Sequence, residues 1–297
     1  MANVLDRSTL EDLIPRYDTF LLDAYGVFWG SAATGLLPGA KEAMEALVNS
    51  GKRVGILSNT TQLAEKEKLK LAKWDVIQNS HYHFIVTSGT VTRQALLQDR
   101  LPFPTPRKSY CLFGTDHPHF SPHSSLFEGT SYRQVLAPSD ADFMYLAIPH
   151  IDGSDQEDPE AFETLTREAA RFQLPVLCAN PDRFAHEGEP ARPVVRQGTI
   201  AQMLQNEGTE VHFIGKPHSL VFREALAQCG AERILMIGDT PETDIRGARM
   251  AGIDSALITQ TGIASERISK SGMEAFLREL AETDQPHFMI PRFSLDC

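Results

Sequence analysis

The sequence predicts an α/β fold, with a Rossmann-like parallel sheet core and an inserted α/β domain. Short apolar runs alternate with amphipathic segments along most of the chain, a pattern typical of a parallel sheet covered by helices. Three prolines in "DRLPFPTPRKSY" interrupt that alternation, and 297 residues exceed the usual size of one domain. We therefore expect a discontinuous core at residues 1–102 and 210–297, and an inserted cap domain at residues 103–209.

The first core elements follow from local signals. Ser8 and Glu11 have the spacing of a capping box, which predicts a short helix before the apolar strand at residues 19–22. The segment "GAKEAMEALVNSGK" repeats apolar residues at helical spacing and stops at Gly51. The strand "RVGILSN", the helix "TTQLAEKEKLKLAKW" and the strand-helix segment "HFIVTSGTVTRQALLQ" continue the alternation.

The inserted domain has its own strands and helices. Its expected strands are "SYCLFG", "DFMYLAI" and "PVLCANP", and its expected helices are "PEAFETLTREAARFQ" and "GTIAQMLQN". The run "EVHFIG" is expected to return the chain to the core. It precedes "SLVFREALAQCG", "RILMIG", "PETDIRGARMAG" and "DSALIT", which predict helix, strand, helix and strand.

Composition excludes several classes of function. The formal charge of -11 disfavours a nucleic acid partner, because contacts to phosphates dominate that affinity. No apolar segment is long enough to span a bilayer, and the N-terminus lacks the pattern of a signal peptide, so we expect no membrane partner. Four cysteines without metal-ligand spacing fit packing roles in a reduced, cytoplasmic compartment. The oligomeric state stays open, a homodimer included.

Four segments end predicted strands with polar or charged residues. In an open parallel sheet the carboxyl ends of the strands converge on one crevice, so we expect these residues to lie close together. They are Asp23 in "LLDAYGV", Ser58 and Asn59 in "ILSNTT", Lys216 in "IGKPHS", and Asp239 and Asp244 in "MIGDTPETD". Each segment alone is as well explained by a helix cap or a turn, but their joint occurrence favours a catalytic site.

This residue set suits phosphoryl transfer through an aspartyl intermediate. Asp23 would attack phosphorus as a nucleophile. Charge on the phosphoryl oxygens would be met by Ser58, the amide of Asn59 and Lys216. Repulsion among the carboxylates calls for a divalent cation, and hard oxygen ligands favour Mg2+. The expected metal ligands are Asp23, the backbone carbonyl of Tyr25, Asp239 and Asp244.

These four motifs resemble those of the haloacid dehalogenase (HAD) superfamily, in particular its NagD-like and 4-nitrophenylphosphatase-like branch. A short interval separates the first two motifs and a long one separates the second from the third, and "GLLPGAKEAMEAL", "ANPDRF" and "GTIAQML" also match that branch. The resemblance implies a Mg2+-dependent phosphatase acting on a small phosphorylated metabolite such as a sugar phosphate. It also places a cap loop over the active site, with Asp182, Arg183 and His186 as candidates for substrate contact, although ordinary turn chemistry explains this loop nearly as well.

The chain departs from the family at Tyr25. Phosphatases of the family carry D-x-D-G, whose second Asp protonates the leaving group, whereas this chain has D-A-Y-G. A phenol is a poor acid near neutral pH. One alternative is therefore a weak or inactive phosphate-binding protein. A haloacid dehalogenase is a more distant alternative, since those enzymes place their cap between the first two motifs and lack the metal-binding Asp pair.

Five histidines could suggest a metal site. They are His81, His83, His117, His119 and His123. Their scattered spacing favours solvated loop residues over metal ligands.

Overall fold

A seven-stranded sheet is the largest element of the computed structural model, which describes residues 6–30, 34–187, 192–230 and 233–295. Fourteen strands occur in the described part of the chain. They are β1 (Asp6–Arg7), β2 (Thr19–Leu22), β3 (Arg53–Ser58), β4 (Phe84–Thr87), β5 (Ser109–Phe113), β6 (Arg133–Gln134), β7 (Phe143–Leu146), β8 (Val176–Cys178), β9 (Phe184–Glu187), β10 (Arg192–Val195), β11 (Val211–Phe213), β12 (Ile234–Gly238), β13 (Asp254–Ile258) and β14 (Phe288–Ile290).

Eleven α-helices lie between these strands within the same described ranges. They are α1 (Leu10–Leu13), α2 (Ala40–Asn49), α3 (Ala64–Ala72), α4 (Ser88–Leu97), α5 (Ser124–Phe127), α6 (Glu163–Ala170), α7 (Gln197–Asn206), α8 (Ser219–Cys229), α9 (Arg246–Met250), α10 (Gly262–Ser271) and α11 (Met273–Glu279). A π-helical turn, Pro241–Ile245, runs directly into α9, and 3-10 turns occupy Ile14–Arg16, Pro138–Asp140, Pro159–Phe162 and Glu282–Asp284. None of the described helices is both long and apolar enough to cross a membrane.

The chain folds into two units, the first comprising residues 1–58, 64–86 and 216–297. Its sheet has the order β1-β14-β13-β12-β2-β3-β4, and the described strand pairs are parallel. In the centre of the sheet Leu22 on β2 lies opposite Ile237 on β12 and Ile56 on β3. The residues that follow these three positions therefore leave the sheet at one edge. Buried apolar residues of β2, β3 and β12 form the core below that edge.

The second unit comprises residues 59–63 and 87–215. Its five-stranded parallel sheet has the order β11-β8-β7-β5-β6, and β9 and β10 form a separate antiparallel ribbon. Its core contains residues such as Phe113, Leu146, Cys178 and Ile200. The α/β fold class is confirmed, while the predicted domain boundaries at 102/103 and 209/210 stay a prediction.

Two local expectations differ from the structure. The strand expected to resume the core, "EVHFIG", contains β11, which pairs with β8 in the second sheet. An apolar run does not specify its partner, and the preceding helix α7 leads naturally into a crossover back to the same sheet. The capping box lies one residue later than expected. The Thr9 hydroxyl accepts the Asp12 N–H at 3.3 Å, and the Asp12 carboxylate accepts the Thr9 N–H at 2.8 Å.

Candidate active site

Asp23 and Lys216 form the centre of the candidate site, which lies in the first unit. Asp23 directly follows β2 and is buried, and its backbone N–H donates to the carbonyl of Ile237 at 2.9 Å. The Lys216 ammonium donates to Asp23 Oδ1, and also to Asp244 Oδ1 at 2.7 Å. Lys216 is only 2% exposed, so its charge must be matched by buried carboxylates.

The segment after β12 supplies the other two carboxylates. Asp244 lies in the π-helical turn, a type of distortion that is frequent at functional sites. Its Oδ2 accepts the backbone N–H groups of Asp239 and Thr240 at 3.2 and 3.1 Å, which closes the turn. Asp239 in turn accepts the Ile263 N–H at 2.7 Å and the Thr240 hydroxyl at 2.8 Å. Both side chains are therefore fixed by the local backbone.

These carboxylates are close enough to share a cation. One oxygen each from Asp23, Asp239 and Asp244 lies within 4.8 Å of the others. Burial, followed by the charges of Asp23 and Asp244, raises the pKa of Asp239 well above its ordinary value, although hydrogen bonds from Ile263 and Thr240 act the other way. Three buried carboxylates face one ammonium group, and their oxygen ligands are those that hard divalent cations prefer. The residues present thus fit a divalent metal ion.

Two glycines keep space beside Asp239. A Cβ at Gly26 would lie 2.3 Å from Asp239 Oδ2, and one at Gly262 would lie 1.9 Å from it. Both residues have positive φ, +80° and +68°, which L side chains rarely adopt. The glycine in D-A-Y-G is therefore explained by the close approach of this loop to the carboxylate cluster. The sequence contained Gly26 as part of the motif, but nothing in it indicated Gly262.

Tyr25 has a cationic neighbour that the sequence analysis missed. Its side chain is 40% exposed, and Lys70 Nζ lies 5.2 Å from the centre of its ring. The same Nζ lies 4.7 Å from the Trp29 ring and 2.7 Å from Glu67 Oε2. Burial alone would lower the pKa of Lys70, but Tyr25 and Glu67 raise it above its ordinary value. Lys70 therefore stays charged beside Tyr25.

The second motif is divided between strand and loop. Ser58 is the last residue of β3, two positions beyond Ile56, which lies opposite Leu22 at the same sheet edge as Asp23. It is 5% exposed. Asn59 begins the next segment, in the second unit, and its Nδ2 donates to Asp182 Oδ1 at 2.8 Å. Asp182 is thus joined to the residue that follows Ser58.

The other candidates for substrate contact lie in the second unit. Arg183 is exposed, and its carbonyl accepts the Thr199 hydroxyl at 2.6 Å and the Arg196 N–H at 2.9 Å. His186 lies on β9, opposite Pro193 on β10. These contacts hold the backbone of the loop and ribbon, and they leave the predicted role in substrate binding untested.

The expectation that the five histidines are solvated is wrong for three of them. His81, His117 and His123 are buried, whereas His119 is exposed and His83 is half-buried. Two of the buried rings accept backbone hydrogen bonds: His81 Nδ1 accepts the Ile77 N–H at 3.0 Å, and His117 Nδ1 accepts the His119 N–H at 3.2 Å. The third, His123, contacts the Asp116 carboxylate through Nδ1 at 2.6 Å. The expected packing role of the cysteines is confirmed for Cys111, Cys178 and Cys229, and Cys297 lies outside the described residues.

Two family models match segments of this chain. The model described as haloacid dehalogenase-like hydrolase matches residues 20–118, which include Asp23 and Ser58. The model described as HAD-hydrolase-like matches residues 213–291, which include Lys216, Asp239 and Asp244. The chain belongs to the haloacid dehalogenase-like hydrolases. The superfamily expected from the motifs is confirmed, and the chain is a hydrolase of this superfamily.

Proteins named as phosphatases are among the relatives of this chain. The chain is 25% identical over 285 residues to glycerol-3-phosphate phosphatase from Rattus norvegicus, covering 89% of this chain and 85% of the relative. It is 33% identical to dihydroxyacetone phosphatase from Corynebacterium glutamicum, but over 100 residues that make up only 34% of that protein.

Solved structures show the same fold. A haloacid dehalogenase-like hydrolase from Brucella suis has a TM-score of 0.73 at 22% identity, covering 96% of this chain and 98% of its own. A glycerol phosphate phosphatase from Mycobacterium tuberculosis, solved in complex with magnesium, has a TM-score of 0.65 at 17% identity, covering 97% of this chain and 77% of its own. That phosphatase shares the fold of this chain, and its structure holds magnesium.

Proposed function

We propose that this protein is a Mg2+-dependent phosphomonoesterase that acts on a small phosphorylated metabolite such as a sugar phosphate. The observation that carries the proposal is the buried cluster of Asp23, Asp239 and Asp244 around the Lys216 ammonium. The relatives of this chain include a dihydroxyacetone phosphatase and a glycerol-3-phosphate phosphatase, and these names support a small phosphate ester as the substrate.

Asp23 is the proposed nucleophile. A carboxylate oxygen of Asp23 would form a bond to phosphorus while the ester P–O bond breaks, and the departing oxygen would take a proton from solvent. Water would then attack phosphorus, break the bond to Asp23 and release inorganic phosphate with loss of one proton. The ammonium of Lys216 holds Asp23 in position and offsets its negative charge. Ser58 and the amide of Asn59 are the proposed phosphate-binding groups.

Asp23, Asp239, Asp244 and the Tyr25 carbonyl would hold the Mg2+ ion. When bound, the ion would neutralise charge on the carboxylates and on the phosphoryl oxygens. Arg183 and His186 are the proposed contacts to the rest of the substrate.

With Tyr25 in place of the usual Asp, no carboxylic acid at this position protonates the leaving group. We expect aryl or acyl phosphates, whose leaving groups are stable as anions, to be hydrolysed faster than alkyl phosphates. Tyr25→Asp should raise kcat/KM for an alkyl phosphate by up to about two to four powers of ten, with a much smaller gain for an aryl phosphate. A variant that folds and binds metal normally but gains nothing on the alkyl ester would show that the missing acid does not limit the rate.

A screen of phosphorylated metabolites with and without Mg2+ tests the proposal as a whole. Mg2+-dependent release of phosphate from at least one small ester is the expected result. The second candidate is a protein that binds phosphate but hydrolyses little, which Tyr25 favours. Phosphate binding without turnover of any ester, aryl phosphates included, would select that candidate. A haloacid dehalogenase stays the more distant alternative, because the resemblance gives those enzymes no metal-binding Asp pair, whereas Asp239 and Asp244 lie close to Asp23 in this chain.

A further inference from the structure

The chain crosses between the two units next to two of the proposed catalytic residues. Ser58 and Lys216 are the terminal residues of segments of the first unit, and Asn59 and Gly215 are their neighbours in the second. Constraints on Asn59 and Gly215 therefore act one peptide bond away from the residues that carry the hydroxyl and the ammonium group. The side chain of Asn59, 2% exposed, is placed to do this.

Asn59 joins three segments of the second unit. Its Nδ2 donates to Asp182 Oδ1 at 2.8 Å, and its Oδ1 accepts the Ser88 hydroxyl at 3.4 Å. A Cβ at Gly215 would lie 2.5 Å from Asn59 Oδ1 and 2.4 Å from Pro181 Cδ. Gly215 is thus packed directly against both the Asn59 amide and the loop that carries Asp182.

The loop itself is held by further hydrogen bonds. The Asp182 N–H donates to Asn180 Oδ1 at 2.9 Å, and the Gly198 N–H at the start of α7 donates to the Asp182 carbonyl at 3.0 Å. Asn180 Nδ2 donates to Gln197 Oε1 at 3.3 Å. Asp182 is therefore a fixed acceptor, and its carboxylate determines where the Asn59 amide lies.

We propose that Asp182 is a positioning residue that acts through Asn59 on Ser58 and, through the packing at Gly215, on Lys216. The inference rests on the proposed function for its effect on catalysis, but the positioning itself is independent of it. It assigns Asp182 a role other than the substrate contact expected from the sequence. The carboxylate is needed as a hydrogen-bond acceptor, so an amide oxygen at the same place should serve as well.

Reversing the hydrogen bond tests this assignment. Asn59→Asp sets two carboxylates against each other and should lower kcat for an aryl phosphate by about tenfold to a hundredfold, the usual scale for loss of a charge-assisted hydrogen bond. Asp182→Asn keeps an acceptor oxygen and should stay near wild type. The double variant Asn59→Asp/Asp182→Asn restores a donor and an acceptor in opposite order, and should recover most of the lost kcat.

A substrate contact or a purely structural role gives different results. If the Asp182 carboxylate binds substrate, Asp182→Asn alone is impaired, chiefly in KM, and the double variant stays impaired. If the pair only stabilises the fold, Tm falls without a change in kcat. Asp142→Ala is the matched control, because that carboxylate accepts the Arg107 N–H at 2.8 Å near the amino end of β7. It should lower Tm and leave kcat unchanged.

Hydrogen exchange separates this inference from the proposed function. Amide exchange at residues 58–59 and 215–216 should accelerate in Asn59→Asp and slow again in the double variant, whether or not the protein hydrolyses any ester. If the wild-type protein hydrolyses no ester, the proposed function is overturned but the positioning role is not. Unchanged exchange in Asn59→Asp at those amides would overturn the positioning role.

Discussion

Buried charge is arranged differently in the two units. In the first unit, Lys216 is the ammonium partner of Asp23 and Asp244, and Asp239 adds a third carboxylate whose pKa is raised by burial and by both neighbours. In the second unit, the Arg196 guanidinium, 4% exposed, donates to Asp155 at 2.6 Å and to Glu187 at 3.0 Å.

The difference lies in how the excess negative charge is solvated. The side chains of Asp155 and Glu187 are about a quarter exposed, so water can relieve the charge that Arg196 does not offset. The Asp244 side chain is 1% exposed and Asp23 12%. We propose that the nearly buried carboxylates of the first unit form a site that takes up a cation, whereas the partly exposed carboxylates around Arg196 are proposed to stabilise the fold.

Among the tests of this comparison, removal of the metal ion should have the largest effect, which is a loss of turnover. Chelation of divalent ions should lower turnover of an aryl phosphate by at least about a thousandfold, since the metal supplies several kcal/mol of charge stabilisation. Asp239→Asn should weaken Mg2+ binding measured by calorimetry, because it removes a proposed ligand. Asp155→Asn, in the second unit, is the matched control and should keep wild-type affinity. Equal Mg2+ affinity in all three proteins would remove the metal assignment.

A variant of the charge cluster in the second unit should lower the stability of the fold without changing Mg2+ affinity. Arg196→Met leaves Asp155 and Glu187 without their buried partner and should lower the free energy of unfolding by about 3 kcal/mol, at the low end for broken buried pairs because both carboxylates contact water. Urea denaturation measures the loss. Calorimetry should give an unchanged Mg2+ affinity in the folded variant; a large drop would mean that the two clusters are not independent.

The smallest effect concerns His117, which is 5% exposed and lies 3.6 Å from Asp155 through Nε2. Burial lowers its pKa despite the opposing charge of Asp155. A lowered pKa means that folding favours the neutral ring, so its contribution to stability is present above the unfolded pKa, about 6.5. That contribution should decline as the pH falls below this value, towards the lowered pKa.

Denaturation at several pH values measures this decline. His117→Gln should flatten the stability profile between pH 7.5 and 5.5. Equal slopes in wild type and His117→Gln would contradict the role of burial.

The sequence predicted the elements that carry strong local patterns. Strands β2, β3 and β12 are apolar runs that end in Leu22, Ser58 and Gly238, and their position at one sheet edge follows from parallel pairing. Contacts between residues distant in the sequence were not predictable. Lys70 lies beside Tyr25, and Asn59 bonds to Asp182, only because of the tertiary fold.

The errors have similar causes. β11 joins the second sheet because the choice of partner strand is a tertiary property. His117 and His123 lie in a segment rich in Ser and Pro, which looks solvated in sequence, but aromatic neighbours such as Phe120 and Phe127 cover their rings. Composition alone does not show such packing.

Transfer of a phosphoryl group to Asp23 is the central claim, and trapping that group tests it most directly. Wild-type protein should be mixed with an aryl phosphate and Mg2+, quenched in acid within milliseconds, and digested for mass spectrometry. Because Tyr25 provides no efficient base for the attacking water, the intermediate should accumulate, and the peptide that contains Asp23 should carry the added phosphoryl mass. The same peptide from Asp23→Asn should carry none, with turnover lost. Phosphate release by the wild type with no phosphoryl group on Asp23 at any quench time, or undiminished turnover by Asp23→Asn, would contradict the account.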